Sequence, residues 1–248
     1  MRRDAIIGIL QESGTLTTAQ LIERFGVSEA TARRDLETLE QEKKLIRTFG
    51  GAVLESVRTE IPFYAKLELH PEEKKEIADK AMTLIQDGEV IGLTGGSTTM
   101  AIAKRLQQRH FSNLTVVTNA VNLAYELTGL PGIQLMVTGG IARTQSFELS
   151  GPLADHALSQ VTISRSFIGA DGVSVMRGIT TFNELEAQTN RVMIAQSIDS
   201  YVVADHSKLN NSSVFCIRPL DAVTAIITDS KAGKELSQPF LQAGIRFI

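Results

Sequence analysis

The stretch VSEATARRDLETLE, residues 27–40, has the pattern of a short amphipathic helix. Ser28 is placed to cap its amino terminus, because a serine side chain can accept a hydrogen bond from an unpaired amide of the first turn. Ala32, Leu36 and Leu39 follow at spacings of four and three, which places them on one face of the helix. The stretch therefore predicts a helix that packs this face against a core.

The opposite face of this helix carries residues suited to contact a partner. At about 100° per residue, Arg34 lies opposite the apolar stripe, with Thr31 and Arg33 on its flanks. Small side chains at Ala30 and Thr31 allow close approach to base edges, and an arginine can donate two hydrogen bonds to guanine or bind a phosphate. As an alternative, Arg33 lies four residues after Glu29 and is then only an ion-paired surface residue.

The preceding residues predict a second helix joined to this one by a tight turn. Thr17 and Gln20 have the spacing of a capping box, and Gly26 is suited to end the helix in a left-handed conformation. An earlier apolar segment predicts a first helix that ends near Gly14. Two helices around a short turn, the second with an outward arginine, predict a helix-turn-helix over residues 18–37.

The residues after the third helix complete a DNA-binding domain over residues 1–55. KKLIRTFGGAV, residues 43–53, predicts two strands around a turn, which is the wing of a winged helix. Arg47 in this segment and Ser28 at the start of the third helix are further candidate DNA contacts. Residues 1–54 hold eight Lys/Arg and eight Asp/Glu, so the domain lacks a basic surplus. We therefore expect a homodimer or homotetramer to bind the duplex, because a neutral single domain would bind it weakly.

The rest of the chain predicts a linker and a larger domain. Periodicity lapses over residues 56–73, which contain Pro62 and Pro71 as a linker would. Residues 74–248 alternate short apolar strands with amphipathic helices, down to a final strand in GIRFI at the carboxyl terminus. This alternation predicts an α/β domain with a mostly parallel sheet. The fold class is therefore α/β, with a small winged helix-turn-helix domain joined to a larger α/β domain.

Glycine and polar residues follow the predicted strands, where ligands bind in parallel sheets. Gly95 and Gly96 precede Ser97, Thr98 and Thr99 at a helix start, which offers amides, hydroxyls and the helix dipole to an anion. No lysine follows these glycines, so the loop is not a nucleotide-binding P-loop. The other candidate ligand residues at strand ends are Asn119, Gly139, Gly140, Asp171, Gly172 and Lys208.

Composition excludes several classes of protein. The chain of 248 residues has a net charge of -3, 43% hydrophobic residues, and no apolar run near the ~20 residues of a membrane span. With one cysteine, Cys216, it has no internal disulfide, and its four histidines lack metal-ligand spacing. We expect a cytoplasmic globular protein with no metal, no cofactor and no membrane contact.

Two groups of motifs resemble one family. VSEATARRDLETLE followed by LIRTFGGA resembles the amino-terminal domain of the DeoR family of bacterial sugar-metabolism repressors, in which histidine is frequent at the position of Phe49. TGGSTT, VVTNA, VTGG, FIGADG and VADHSK, in that order, resemble the sensor domain of that family. The resemblance covers nearly the full chain.

The resemblance implies a ligand and the residues that hold it. The family's sensor domain resembles ribose-5-phosphate isomerase and glucosamine-6-phosphate deaminase, which implies a phosphorylated sugar or a related metabolite as the effector. It implies that the phosphate binds the loop described above, and that polar contacts come from further strand ends. The residues concerned are Gly96, Ser97, Thr98, Thr99, Asn119, Asp171 and Lys208.

Three positions depart from the family pattern. Thr94 stands where the family commonly has aspartate, and Asn190 stands where it commonly has lysine. Val173 follows ADG where the deaminases place a catalytic histidine, so proton transfer lacks its obvious acid or base. The identity of the ligand therefore does not follow from better-known relatives.

The leading hypothesis is a repressor of a carbohydrate-metabolism operon that binds double-stranded operator DNA and is released by a phosphorylated sugar. One alternative is a sugar-phosphate isomerase or deaminase, for which Asp171 and Glu184 are the candidate residues. The other is a transcriptional activator, because the sign of regulation depends on the position of the operator. The sequence leaves the metabolite and the operon undetermined.

Overall fold

A computed structural model describes residues 2–13, 15–42, 44–48, 50–54 and 60–248. The chain forms two compact units, Met1–Ile61 and Pro62–Ile248. Residues 62–73, part of the predicted linker 56–73, lie instead in the second unit and contain one short helix and the start of another. None of the helices in the described part of the chain combines the length and apolar character needed to cross a bilayer.

The first unit is a winged helix, as predicted. Its elements are α1 (Arg2–Ser13), β1 (Thr15–Thr17), α2 (Thr18–Phe25), α3 (Glu29–Gln41), β2 (Leu45–Thr48) and β3 (Gly51–Leu54). The strands form an antiparallel sheet in the order β1-β3-β2. The sequence predicted β2 and β3, but β1 was missed because three residues are too few to show strand alternation.

The helix boundaries in this unit arise from local caps. The Thr17 side chain accepts from the amide of Gln20 at 3.1 Å, while the amide of Thr17 donates to the side chain of Gln20 at 2.9 Å, which confirms the capping box. Gly26 ends α2 with a φ of 61°, and Ser28 caps α3. The expected end of the first helix at Gly14 lies outside the described residues.

A small apolar core holds α3 in place. The three predicted core residues of α3 are at most 1% exposed, and they pack with residues of α1 and α2 such as Leu10 and Leu21. Asp35, also on α3, is buried and receives hydrogen bonds from Arg2 at 2.6 Å and Arg3 at 3.3 Å. The hydrogen bond from Arg2 holds the pKa of Asp35 below its ordinary value. These contacts fix which face of α3 points outward.

The second unit is an α/β domain, as predicted. Its helices are α4 (Phe63–Glu68), α5 (Pro71–Met82), α6 (Ser97–Leu106), α7 (Val121–Leu127), α8 (Pro152–Ser159), α9 (Glu184–Ala195) and α10 (Gly233–Gln242). Its strands are β4 (Val90–Leu93), β5 (Leu114–Thr118), β6 (Ile133–Val137), β7 (Ile141–Ala142), β8 (Leu149–Ser150), β9 (Ile163–Gly169), β10 (Gly172–Ser174), β11 (Gly178–Thr181), β12 (Ser197–Val203), β13 (Phe215–Arg218) and β14 (Ala225–Ile227).

The central sheet has six parallel strands in the order β14-β12-β9-β4-β5-β6. The chain builds outward from β4 in one direction through β5 and β6, and in the other through β9, β12 and β14. The order therefore reverses between β4 and β9, which is where parallel sheets bind ligands beyond the strand ends. The GIRFI segment contributes only an isolated bridge between Ile226 and Phe247, and the antiparallel sheet β10-β11-β13 was not predicted.

Candidate DNA-binding and ligand-binding sites

The outward face of α3 presents an unengaged arginine. Arg34 and Ala30 are exposed, on the side of the helix opposite the core. The guanidinium of Arg34 has no ion-pair or hydrogen-bond partner among the residues that the structure describes. It is therefore available to a groove of DNA without first breaking an internal contact.

Arg33 differs from its neighbour. Its Nη2 lies 2.5 Å from Oε1 of Glu29, and both side chains are more than 60% exposed, at 63% and 61%. This is the ion-paired surface arrangement that the sequence allowed as an alternative. Such an exposed pair contributes only tenths of a kcal/mol, so DNA could displace Glu29 at about that cost.

The other predicted DNA contacts lie around the same helix. The hydroxyl of Ser28 accepts from the amide of Thr31 at 3.3 Å and contacts its hydroxyl at 2.9 Å, so these two residues shape the helix start. Arg47 on β2 pairs with Glu37 on α3 through Nη1 and Oε1, 3.0 Å apart. The pair joins the wing to the outward face of α3. Phe49 lies outside the described residues.

A pocket opens in the second unit at the carboxyl ends of β4 and β9. Its lining residues are Phe63, Lys66, Leu69, His70, Lys74, Gly95, Gly96, Ser97, Thr98, Gln145, Ser146, Glu148, Gly169, Ala170, Asp171, Thr181, Glu186, Asn190, Asp205 and Lys208. We call this set the switch-point pocket. It lies where the strand order of the sheet reverses, and its lining contains both cationic and acidic side chains.

One wall of the switch-point pocket is the start of α6. Gly96 precedes the helix with a φ of 133°, and no side chain in the described part of the chain caps the first turn. Ser97 and Thr98 are each 8% exposed, so the first turn lies inside the pocket wall. Uncapped amides at a helix start attract anions, because their N–H groups and the helix dipole point the same way.

Three lysines line the same pocket. Lys66 on α4 pairs with Asp171, with Nζ 2.6 Å from Oδ1. Lys74 donates to the backbone carbonyls of Lys66 and Leu69, and burial lowers its pKa to about 8. Lys208 follows β12 in a short 3-10 helix, and its ammonium has no ion-pair partner among the described residues. The pocket therefore offers positive charge to an anionic ligand.

Acidic side chains form another part of the lining. Burial would raise the pKa of Asp171, but the adjacent ammonium of Lys66 holds it below its ordinary value. Glu186 is paired with Arg143. Glu148 is 6% exposed and accepts from Nδ2 of Asn119 at 3.0 Å. Burial, together with the charge of Glu186, raises the pKa of Glu148 well above its ordinary value.

We expect Glu148→Gln to be more stable than the wild type at pH 8, and this advantage to be smaller at pH 5. Above about pH 4.3 the unfolded chain releases the Glu148 proton, whereas the folded protein retains it up to its raised pKa. Stability therefore falls as pH rises through this window, and glutamine removes the effect. Thermal denaturation at pH 5 and pH 8 measures it.

The control is Glu68→Gln, which alters an exposed carboxylate of the same unit. We expect its stability to follow that of the wild type at both pH values. If Glu148→Gln were instead less stable than the wild type at pH 8, the carboxylate would have to be charged and stabilised in the folded protein.

The structure brings six of the eleven predicted ligand residues into the pocket lining and leaves five outside it. Those in the lining are Gly95, Gly96, Ser97, Thr98, Asp171 and Lys208. Asn119 lies behind the wall, where its Oδ1 accepts from the amide of Gly95 at 3.2 Å, and the hydroxyl of Thr99 donates to the carbonyl of Gly96 at 2.9 Å. These two residues shape the loop and do not line the pocket.

Two of the three remaining predicted glycines, Gly140 and Gly172, serve close packing. A Cβ at Gly140 would lie 2.8 Å from the carbonyl oxygen of Ser150, and one at Gly172 would lie 2.8 Å from that of Asn211. Gly139 has a φ of 72° and open space around it. Gly139 and Gly140 follow β6 as predicted, whereas Gly172 is the first residue of β10, and none of the three lines the pocket.

Sequence reasoning missed the charged residues that reach the pocket from elsewhere in the chain. Lys66 and Lys74 come from α4 and α5, in or next to the segment assigned to a linker. Glu148 comes from a loop, and Glu186 comes from α9. The same helix carries Asn190, which the sequence had already singled out as a departure from the family pattern. One local signal for the start of α9 was available in the sequence. Asn183 caps this helix, and Glu186 follows three residues later, a spacing found at many helix starts.

Comparison with known families matches both units. The first unit matches the DeoR-like helix-turn-helix domain over residues 2–58, and the second matches the DeoR C-terminal sensor domain over residues 69–230. A solved structure of ribose 5-phosphate isomerase A from Methanocaldococcus jannaschii is similar at 19% identity, covering 56% of this chain and 54% of that one, with a TM-score of 0.40.

Three relatives align over most of their length. The transcriptional regulator GolR of Listeria innocua is 33% identical, covering 98% of this chain and 96% of GolR. The repressor GlcR of Bacillus subtilis is 36% identical, with 91% and 86% covered, and the glycerol-3-phosphate regulon repressor of Escherichia coli K12 is 30% identical, with 92% and 90% covered. With both domains and these relatives in agreement, the chain belongs to the DeoR family of DNA-binding transcriptional regulators.

Proposed function

We propose that the protein represses an operon of carbohydrate metabolism and leaves its operator when a phosphorylated sugar binds the second unit. The observation that carries the proposal is a lysine-lined pocket with an uncapped helix start, on the same chain as a winged helix with an exposed Arg34. The names of relatives support the sugar-related role, since one is a glycerol-3-phosphate regulon repressor and another an aga operon repressor. An operator-binding regulator of this kind would act in the cytoplasm.

The pocket chemistry favours a phosphate monoester as the effector. The amides at the start of α6 and the ammonium of Lys208 would hold the phosphate, because both are suited to an anion and are not otherwise engaged in the described structure. Asp171, Glu148 and Glu186 would face the hydroxyl-bearing part of the ligand. Inorganic phosphate would contact only the α6 amides and Lys208. A sugar phosphate would contact these groups and the carboxylates as well.

We expect ligand binding to affect α4, the first helix of the second unit. Lys66 and Phe63 belong to α4, which begins two residues after the division between the units, and both line the pocket. A ligand that competes for Lys66 would change the position of α4. A tenfold preference of the effector for the arrangement that cannot bind DNA corresponds to about 1.4 kcal/mol of coupling.

We propose ligand binding without turnover, and a homodimer or homotetramer as the DNA-bound form. Of the two carboxylates suggested for an enzyme, Asp171 lines the pocket, whereas Glu184 does not. Incubation with glycerol 3-phosphate and with glucose 6-phosphate, followed by product analysis, separates a regulator from an isomerase or deaminase. Turnover of any of these compounds would contradict the proposal.

The function is tested by thermal shift and by DNA release with the same compounds. The DNA is a duplex selected from random sequence by the wild-type protein, and the compounds are inorganic phosphate, glycerol 3-phosphate and glucose 6-phosphate. A compound at 100 times its Kd stabilises the folded state by about 2.7 kcal/mol, so the effector should raise the Tm by several degrees. The same compound should release the DNA.

Two outcomes would contradict this proposal. A compound that raises the Tm and leaves the protein–DNA complex intact would disprove control by the effector. DNA binding that increases with the effector would indicate an activator.

A further inference from the structure

Asn190 has a buried polar atom that none of the described residues satisfies. It lies on α9, one turn after Glu186, and lines the switch-point pocket with only 3% of its surface exposed. Its Oδ1 is buried without a hydrogen-bond partner in the described structure. Buried polar atoms are nearly always paired, because an unpaired one loses its hydration and gains nothing in return.

The position of this atom sets it apart from similar atoms. The other buried side-chain atoms found without a partner in the described residues belong to Asn122, Ser150, Arg218 and Thr228. None of these four residues lines the switch-point pocket. Asn190 is therefore the residue in this group whose missing partner a bound ligand could supply.

The neighbouring acceptors in the pocket are already engaged. Asp171 accepts from Lys66 at 2.6 Å, and Glu186 is paired with Arg143. Glu148 accepts from Asn119 at 3.0 Å. A ligand would have to displace a protein contact to use these carboxylates fully, whereas Oδ1 of Asn190 needs no such exchange.

The chemistry of the amide oxygen limits what it can contact. It accepts hydrogen bonds, and the oxygens of an ionised phosphate accept them too, so the two repel each other. Oδ1 of Asn190 therefore suits a hydroxyl or amine donor on the part of the ligand that carries no phosphate. Sites that pair a buried acceptor with a ligand hydroxyl discriminate strongly against ligands without it.

We propose that Asn190 accepts a hydrogen bond from a hydroxyl or amine of the effector and thereby selects among phosphate esters. This inference rests on the proposed function, because it requires that a phosphorylated ligand occupies the switch-point pocket. It assigns the phosphate and the sugar to different residues. Variants of Asn190 should then change affinity for the esters and leave affinity for inorganic phosphate unchanged.

The test compares Asn190→Leu with the wild type in calorimetric titrations with inorganic phosphate, glycerol 3-phosphate and glucose 6-phosphate. Leucine has a similar size and no polar atom. Affinity for the ester that the wild type binds best should fall about tenfold or more, the effect of one buried hydrogen bond. Affinity for inorganic phosphate should stay within about twofold, and the Tm without ligand should be equal or higher, because the variant removes an unpaired buried atom.

The matched control is Asn122→Leu, which removes another asparagine with an unpaired buried side-chain atom, outside the pocket lining. Its affinities should equal those of the wild type. If wild type and Asn190→Leu bound the ester equally, this inference would fail and the proposed function would stand. The same holds if the variant lost affinity for inorganic phosphate as much as for the ester. If the wild type bound none of the three compounds, the proposed function would fail, and this inference with it.

Discussion

Replacing Arg34 with alanine is expected to weaken operator binding by about 5- to 150-fold for each half-site, which corresponds to a base contact of about 1–3 kcal/mol. The exposed Arg34 guanidinium has no partner in the described structure, so the variant loses no internal contact. Its free energy of unfolding should match that of the wild type within about 0.5 kcal/mol. Fluorescence anisotropy on the selected duplex measures the affinity, and urea denaturation measures the stability.

Arg33→Ala provides the matched comparison on the same helix. Arg33 is already paired with Glu29, so its removal should change DNA affinity less than the removal of Arg34. A larger effect from Arg33 would reverse the assignment of the two side chains. Unchanged affinity in the Arg34 variant would show that this residue does not contact the duplex.

Replacing Gly95 with alanine is expected to abolish the response to the effector and to destabilise the second unit by about 1–3 kcal/mol. The added Cβ would lie 2.6 Å from Oε1 of Glu148 and closer still to its Cγ. Glu148 is buried and tied to Asn119, so it cannot turn away without breaking that contact. The Tm should fall by roughly 2–12 °C, while DNA binding by the separate first unit persists.

The double variant Gly95→Ala, Glu148→Ala tests this cause. Shortening Glu148 gives the new Cβ room, so the double variant should be more stable than Gly95→Ala alone, although each single change destabilises. If the double variant lost as much stability as the two single variants together, the predicted clash between the Cβ added at Gly95 and the side chain of Glu148 would be contradicted. A Gly95→Ala protein with wild-type stability and a normal response to the effector would show that this contact does not matter.

Gly96 illustrates a different kind of constraint in the same loop. Among the described atoms a Cβ there would meet the hydroxyl of Thr99 alone, at 3.4 Å, but the φ of 133° strains any residue with a side chain. The cost of a substitution would come from the backbone and not from a collision. Neighbouring glycines in one motif can thus be required for separate reasons, which the sequence GG does not distinguish.

The local features of the fold were predictable because they depend on residues three or four positions apart. The capping box at Thr17, the end of α2 at Gly26 and the buried stripe that turns Arg34 outward all follow from helix geometry. The alternation of strands and helices likewise predicted the parallel sheet, and with it the edge where a ligand would bind.

The lining of the pocket was only partly predictable, because distant segments supply it. Lys66 and Asp171 form an ion pair across 105 positions of sequence. No local pattern relates such residues, and α4 lay in a stretch where two prolines and lapsed periodicity predicted a linker.

The sequence by itself determined the winged helix, the outward arginine, the parallel sheet and the glycine loop at the end of β4, since each arises from short-range backbone geometry. Only the tertiary structure decided which side chains share the pocket. Within the described residues it left the Arg34 side chain unpaired and paired Arg33, raised the pKa of Glu148, and buried Oδ1 of Asn190 without a hydrogen-bond partner. Burial and pairing depend on which distant segments meet, and that depends on how the whole sheet is assembled.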